Sequence, residues 1–339
     1  MKKIFIISLF VSSLAAGQDM HFSQFYMAPL SQNPALAGAN YDMQAIINYK
    51  DQWRNANAPF RTFAVSYDMR TMPKESRGGF LAAGINLVND RAGSSTMGYT
   101  VADLNLAYHV RLDRYNCLGL GIKSGIIQRG VDINSMSFGS QFDGTGYNAG
   151  LPSGEMAGMS NFTQFDIGAG VVYTYDNTHW SSSAQRRINV GFSAFHLTQP
   201  NFSFFGTDEK LYTKFSVYAN AIMGINNTKW AVQPGFLFYR QGPAQEIYTG
   251  MLAKVNLGRG RQYVERAEGT SLGFGAYWRA GDAISAQFVV DYGAFTFGLS
   301  YDINVSDLQI SSNGRGGLEI SIGFVNNFLR PKRGGNSRI

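Results

Sequence analysis

The sequence predicts an all-β chain: a transmembrane antiparallel β-barrel of about 14 strands, with an irregular N-terminal plug or periplasmic segment. Three observations carry this. The first is strict alternation. Phe295, Phe297, Leu299, Tyr301 and Ile303 interleave with Thr296, Gly298, Ser300, Asp302 and Asn304, and Leu318, Ile320, Ile322 and Phe324 repeat the pattern. A period of two puts each set on its own face of a strand. The second is an export signal at the start of the chain. The third is composition: 39 of 339 residues are Gly and 14% are aromatic, yet only 15% are charged. Ordinary soluble domains carry roughly 25% charged residues. Mean hydropathy is nevertheless just below zero, and no apolar run of membrane-spanning length follows the signal. Dyad alternation is the one way to put many aromatics in lipid at that average.

The elements follow in order. Lys2 and Lys3 precede an apolar run from Ile4 to Leu14, and Ala15, Ala16 and Gly17 supply small residues. Residues 1–17 therefore read as a signal peptide, too short to span a bilayer, with Gln18 as the first mature residue. Residues 18–40, with Pro29, Pro34 and several amides, show no alternation and are expected in the lumen or the periplasm. Residues 41–326 hold the barrel. Strands are predicted at 41–52, 60–70, 79–89, 99–112, 117–129, 163–176, 187–198, 213–225, 229–240, 246–257, 270–280, 282–292, 294–305 and 317–326. Short connections at 113–116, 226–228 and Gly293 suit the periplasmic side, and the long Gly-, Ser- and Asn-rich stretch 130–161 suits the outside. Pro234 falls inside a predicted central strand, so a bulge is expected there. A basic tail, 327–339, with Arg330, Lys332, Arg333 and Arg338, is expected in the periplasm.

Sorting by face gives a lipid set that includes Phe63, Val65, Tyr67; Leu104, Leu106, Tyr108; Ile167, Val171, Tyr173; and Leu272, Phe274, Trp278. Asp68, Asp103, Lys123, Asp166, Lys254, Arg279, Asp302 and Glu319 fall on the opposite face. A Lys or Arg on the lipid face near the midplane costs about 2–4 kcal/mol, so the bilayer itself enforces this sorting. Paired in the lumen, these groups form a stiffening charge network. Tyr99, Trp230, Tyr239 and Trp278, near strand ends, suit interfacial girdles, and equally suit ordinary strand aromatics.

Other chemistry finds little support. The formal charge of +6 is scattered along the chain, so no nucleic-acid partner is predicted; contact with membrane lipid headgroups accounts for it. A barrel hydrolase would need a His within reach of a nucleophile. His21, His109, His179 and His196 are the four histidines, with His109 and His196 as candidates, but no motif ties them to a Ser. No cofactor or metal site is predicted: Asp132, Asp143 and Glu155 lack calcium-loop spacing and read as solvated. Gly119-x-Gly121 and Gly273-x-Gly275 read as strand glycines that admit close packing. Cys117 is the sole cysteine, which rules out a disulfide framework.

The residues also carry a resemblance. Gln18-Asp19, the run His21 to Tyr26, Asn33-Pro34-Ala35 and Ala37-Gly38 resemble the opening of mature PorP/SprF proteins, outer-membrane components associated with type IX secretion and gliding in Bacteroidetes. Gln52-Trp53, Ser66-Tyr67-Asp68, the run Gly298 to Asp302 and the run Gly317 to Ile320 also fit. The resemblance spans nearly the whole mature chain, and the N-terminal block is its specific part. It implies a non-enzymatic barrel that helps export or anchor a large surface protein, an adhesin, through that partner's C-terminal domain. Periplasmic components of the type IX machine are implied as further partners. Candidate partner contacts are Phe22, Gln24, Phe25, Tyr26, Asn33 and Pro34 in the N-terminal block. Phe138, Phe142 and Tyr147 join them from the long loop, which carries no family motif. A porin-like diffusion channel is the alternative, and a barrel hydrolase a third reading.

Overall fold

The computed structural model describes residues 19–52, 59–71, 78–93, 97–131, 138–148, 150–152, 161–178, 185–204, 208–257, 269–306 and 315–327. Residues 1–17, expected as a signal peptide, and residues 328–339 of the basic tail lie outside them. Fourteen strands form: β1 (Met43–Gln52), β2 (Phe60–Arg70), β3 (Phe80–Ala92), β4 (Met97–Arg111), β5 (Asn116–Gly130), β6 (Asn161–Asp176) and β7 (Arg186–Phe195). β8 (Lys214–Gly224), β9 (Trp230–Gln241), β10 (Ala244–Asn256), β11 (Thr270–Arg279), β12 (Ala283–Tyr292), β13 (Phe295–Asn304) and β14 (Arg315–Asn326) complete them. Each pairs antiparallel with the next, and β1 pairs with β14 from Met43↔Asn326 to Gln52↔Gly317, closing the sheet. Closure satisfies every strand edge, which hydrocarbon cannot do.

The two faces separate as the alternation demands. Phe63, Leu104, Leu106, Tyr108, Phe274 and Trp278 are exposed on the outside, and all eight charged residues of the opposite set are buried. Two girdle assignments are corrected. Tyr239 and Tyr99 fall in the same parity as Leu237 and Val101, so both turn inward: Tyr239 is fully buried, and Tyr99 packs on Phe202 near the mouth. Trp230 and Trp278 stay outside. The expected bulge at Pro234 is absent. Pro234 pairs with Met251 in an unbroken β9–β10 ladder, and β8 and β9 keep one register from Asn220↔Gly235 to Met223↔Val232. The missing N–H is absorbed by a gap, as the β8–β9 pairing skips Ala221 and Ile222. A register shift does occur between β13 and β14, at Tyr301/Ile303.

Inside the barrel lies the N-terminal segment. It contains a 3-10 turn (Phe25–Met27), a single α-helical turn, α1 (Pro29–Gln32), and a second 3-10 turn (Pro34–Leu36). Pro29 and Pro34 each occupy the first turn, where their missing N–H costs nothing. The segment threads the lumen from end to end. Asp19 meets residues at the β7–β10 end, including Gln241 and Lys214, whereas Asp42, just before β1, meets Arg70 at the last residue of β2. The end where β1 begins also carries the short connections 112–115 and 293–294, and the opposite end carries 131–160. By the rule of short periplasmic turns and long outer loops, the segment starts at the outer mouth and ends at the periplasmic one.

Candidate functional site: the filled lumen and the outer loop

The lumen wall is shaped for this segment. Asn33, fully buried, spends its whole amide on the fit. Its Oδ1 accepts from Ala35 N at 2.8 Å, while Nδ2 donates to Val171 O on β6 and Phe192 O on β7, each at 3.0 Å. The wall opposite is Gly170 and Gly191, where any Cβ would strike the Asn33 amide. At Gly121 of β5 a Cβ would strike the backbone of Pro34 and Ala35. At Gly298 it would strike the Gln24 side chain. Phe25 seats edge-on against Tyr277 with ring centroids 5.6 Å apart, and Tyr26 OH donates to Gln287 at 3.0 Å. Phe22 packs among Ala64, Val88, Val101 and Ile127.

Charges fix both ends. Near the outer mouth an alternating chain runs from wall to plug and back. Lys123 lies 3.3 Å from both Asp103 and Asp166; His196 Nδ1 lies 3.1 Å from Asp166 and its Nε2 2.9 Å from Asp19; Lys214 lies 3.1 Å from Asp19. Beside it, Glu319 accepts the backbone N–H groups of Ser23 (2.7 Å) and Gln24 (2.9 Å). Asp302 accepts from Ser23 Oγ at 2.7 Å. Lys50 Nζ donates to His21 O at 3.0 Å and Ser23 Oγ at 3.2 Å, within 3.7 Å of Asp302 and 4.0 Å of Glu319. Arg279 lies 3.5 Å from Asp302 and donates to His21 Nε2 at 2.9 Å. Toward the periplasm Asp68 accepts Gly38 N at 2.7 Å, and Arg70 pairs with Asp42 at 2.9 Å. Lys254 pairs with Asp291 at 3.1 Å.

Of the eight lumen charges read from the sequence, Asp103, Lys123 and Asp166 therefore meet directly, and Arg279, Asp302 and Glu319 meet around Lys50. Asp68 binds the plug, and Lys254 finds a carboxylate, Asp291, outside the set. Buried charges outside that set include Lys50, Arg70, Lys214, and Arg187 with Asp176. Lys50 shares the parity of Asn48 on β1, a signal that adjacent Asp51 obscures. The candidate partner contacts divide. Phe22, Gln24, Phe25, Asn33 and Pro34 are buried and Tyr26 is half-buried, so these six are seated against their own barrel. Phe142 and Tyr147 instead pair across a turn within the outer loop and are 61% and 57% exposed. Their turn is held by Asp143, whose carboxylate accepts from Thr145 N (3.0 Å), Thr145 Oγ1 (2.8 Å) and Gly146 N (3.0 Å). Phe138 stands at its base, its N–H bonded to Gln141. Asp132, Glu155 and His179 lie outside the described residues. His109, the other hydrolase candidate, bonds Ala37 O at 2.8 Å and stacks on Phe80.

Two small cavities flank the plug, about 60 Å³ beside Tyr26, Arg187, Gln233 and Lys254, and about 40 Å³ beside Asp19, Lys123 and His196.

The latch at His196 gives a pH dependence. Burial pulls its imidazole down, but Asp19 and Asp166 outweigh this and raise it to about 8. The stabilisation is fully present below the unfolded value of about 6.5 and is lost as pH rises through about 8. Thermal unfolding followed by heat-modifiable gel mobility will show a lower midpoint at pH 9 than at pH 7. His196→Gln will remove that step; an equal step in the variant would sink the assignment.

A model of the family described as "Type IX secretion system membrane protein PorP/SprF" matches residues 14–324. No curated protein matches the chain. Among solved structures it is similar to the CymD monoaromatic hydrocarbon channel at 10% identity, with 93% of this chain and 96% of that chain covered and a TM-score of 0.44. A TodX monoaromatic hydrocarbon channel mutant gives 12% identity, 89% and 94% coverage and a TM-score of 0.46. An outer membrane channel from Pseudomonas putida F1 gives 8%, 84%, 96% and 0.38. Likenesses this distant carry nothing about function.

Proposed function

The chain belongs to the PorP/SprF family of type IX secretion system membrane proteins, and on that premise we propose a non-enzymatic outer-membrane barrel that binds a large exported surface protein. Binding is through that partner's C-terminal domain and serves to export or anchor it. The family match over residues 14–324 carries the reading. The filled lumen supports it. A chain that spends an entire segment, and a row of inward glycines, on closing its own bore is poorly suited to free diffusion. Partner contact then belongs at the rims, and the exposed aromatic pair Phe142 and Tyr147 is the best outer anchor, since aromatics held on a rigid turn lose little entropy on binding.

The test is gentle detergent purification from the native organism, with identification of what accompanies the barrel, set beside surface display in a deletion strain. A co-purifying surface protein that is lost from the cell surface in the deletion strain is expected. Recovery of the barrel alone, with display intact, sinks the proposal. Phe142→Ala with Tyr147→Ala is expected to lower partner recovery about tenfold or more, with unchanged barrel melting, because two truncated anchors cost at least about 1.4 kcal/mol together.

A further inference from the structure

On the lipid face of the outer rim, the register sets two arginines directly against each other. Arg61 of β2 pairs with Arg91 of β3, and both side chains are exposed. Directly opposed side chains on one face have Cβ atoms about 5 Å apart, and like charges there are destabilising. Neither arginine makes an ion pair or hydrogen bond with any described residue. Asp51 shares the row, opposite Arg61 on β1, and is buried. On the far side of Arg91 the row continues through Gly98 and Gly130, neither of which carries a side chain.

The depth of the pair is fixed by the rows beneath it. The next row toward the membrane is Tyr49, Phe63, Asn89 and Thr100, with Asn89 bonded to Thr100 at 2.8 Å. Below that come Ile47, Val65, Leu87 and Ala102, wholly apolar. Two aromatics, Tyr49 and Phe63, beside two polar residues over a wholly apolar row mark the interface, so the guanidinium groups stand one row above it, at the level of headgroup phosphates. A guanidinium fork matches phosphate oxygens with two parallel hydrogen bonds, and an anion shared between two forks turns their repulsion into attraction. We infer that Arg61 and Arg91 clamp one phosphate of a lipid headgroup in the outer leaflet. The inference concerns the lipid face alone and holds whatever the barrel carries.

The test uses the full-length protein in phosphatidylcholine nanodiscs doped with phosphatidic acid, with retained lipid counted by native mass spectrometry. Wild type is expected to retain phosphatidic acid in preference to phosphatidylcholine. Arg61→Gln with Arg91→Gln is expected to weaken that retention by about tenfold or more, the effect of losing one charged hydrogen bond. Arg240→Gln, which alters another exposed outward arginine near the same end, should retain lipid as wild type does. All three positions face outward, so folding is spared, and unchanged melting of each variant checks this. Equal retention by the double variant overturns the inference. So does equal protection from melting by inorganic phosphate alone, which would make the ligand a soluble anion.

Discussion

Gly121→Val will unseat the plug and destabilise the barrel by about 3 kcal/mol or more, at the upper end of overpacking costs. The atoms a side chain would meet at this position are backbone atoms of Pro34 and Ala35, which cannot rotate away as a flexible side chain would. Ala35 itself is held by Asn33, which is tied to two strands, so the segment has no room to shift sideways. The expected readouts are proteolysis within residues 19–42 of folded protein and a lower unfolding temperature. A variant whose N-terminal segment stays as protected as wild type would show that the lumen does not grip the segment where the structure places it.

Lys50→Met has the second large expected effect, about 3–5 kcal/mol, the usual cost of stranding buried charge. It removes the cation between Asp302 and Glu319 while both carboxylates stay buried, and it deletes two hydrogen bonds to His21 and Ser23 of the plug. Adding Glu319→Gln should recover part of the loss, because one of the stranded charges disappears. Denaturant unfolding in detergent micelles measures both. Strict additivity of the two substitutions would mean that Lys50 and Glu319 do not act together.

The barrel was legible because a period of two survives strand after strand, and each of the fourteen observed strands overlaps a predicted one. Less legible was the face of an aromatic near a strand end: Tyr99 and Tyr239 look like girdle residues by position, and only parity turns them inward. Lys50 was obscured because it neighbours Asp51, and two adjacent charges do not say which faces the lumen. The role of Asn33 could not be read at all. Besides Ala35 N, which its Oδ1 caps locally, its partners are main-chain carbonyls 138 and 159 residues away, groups that every residue carries. Inward glycines were visible as glycines, but what approaches them is settled by the path of a distant segment. Proline, likewise, announced trouble at Pro234 without saying that the sheet would leave a gap and not a bulge.

Conductance in planar bilayers tests most directly whether this barrel is closed by its own chain. The intact protein is expected to give no steady current, and removal of residues 19–40 is expected to open a stable pore through the polar bore. A wide, steady conductance from the full-length protein would contradict the account and restore the diffusion-channel reading.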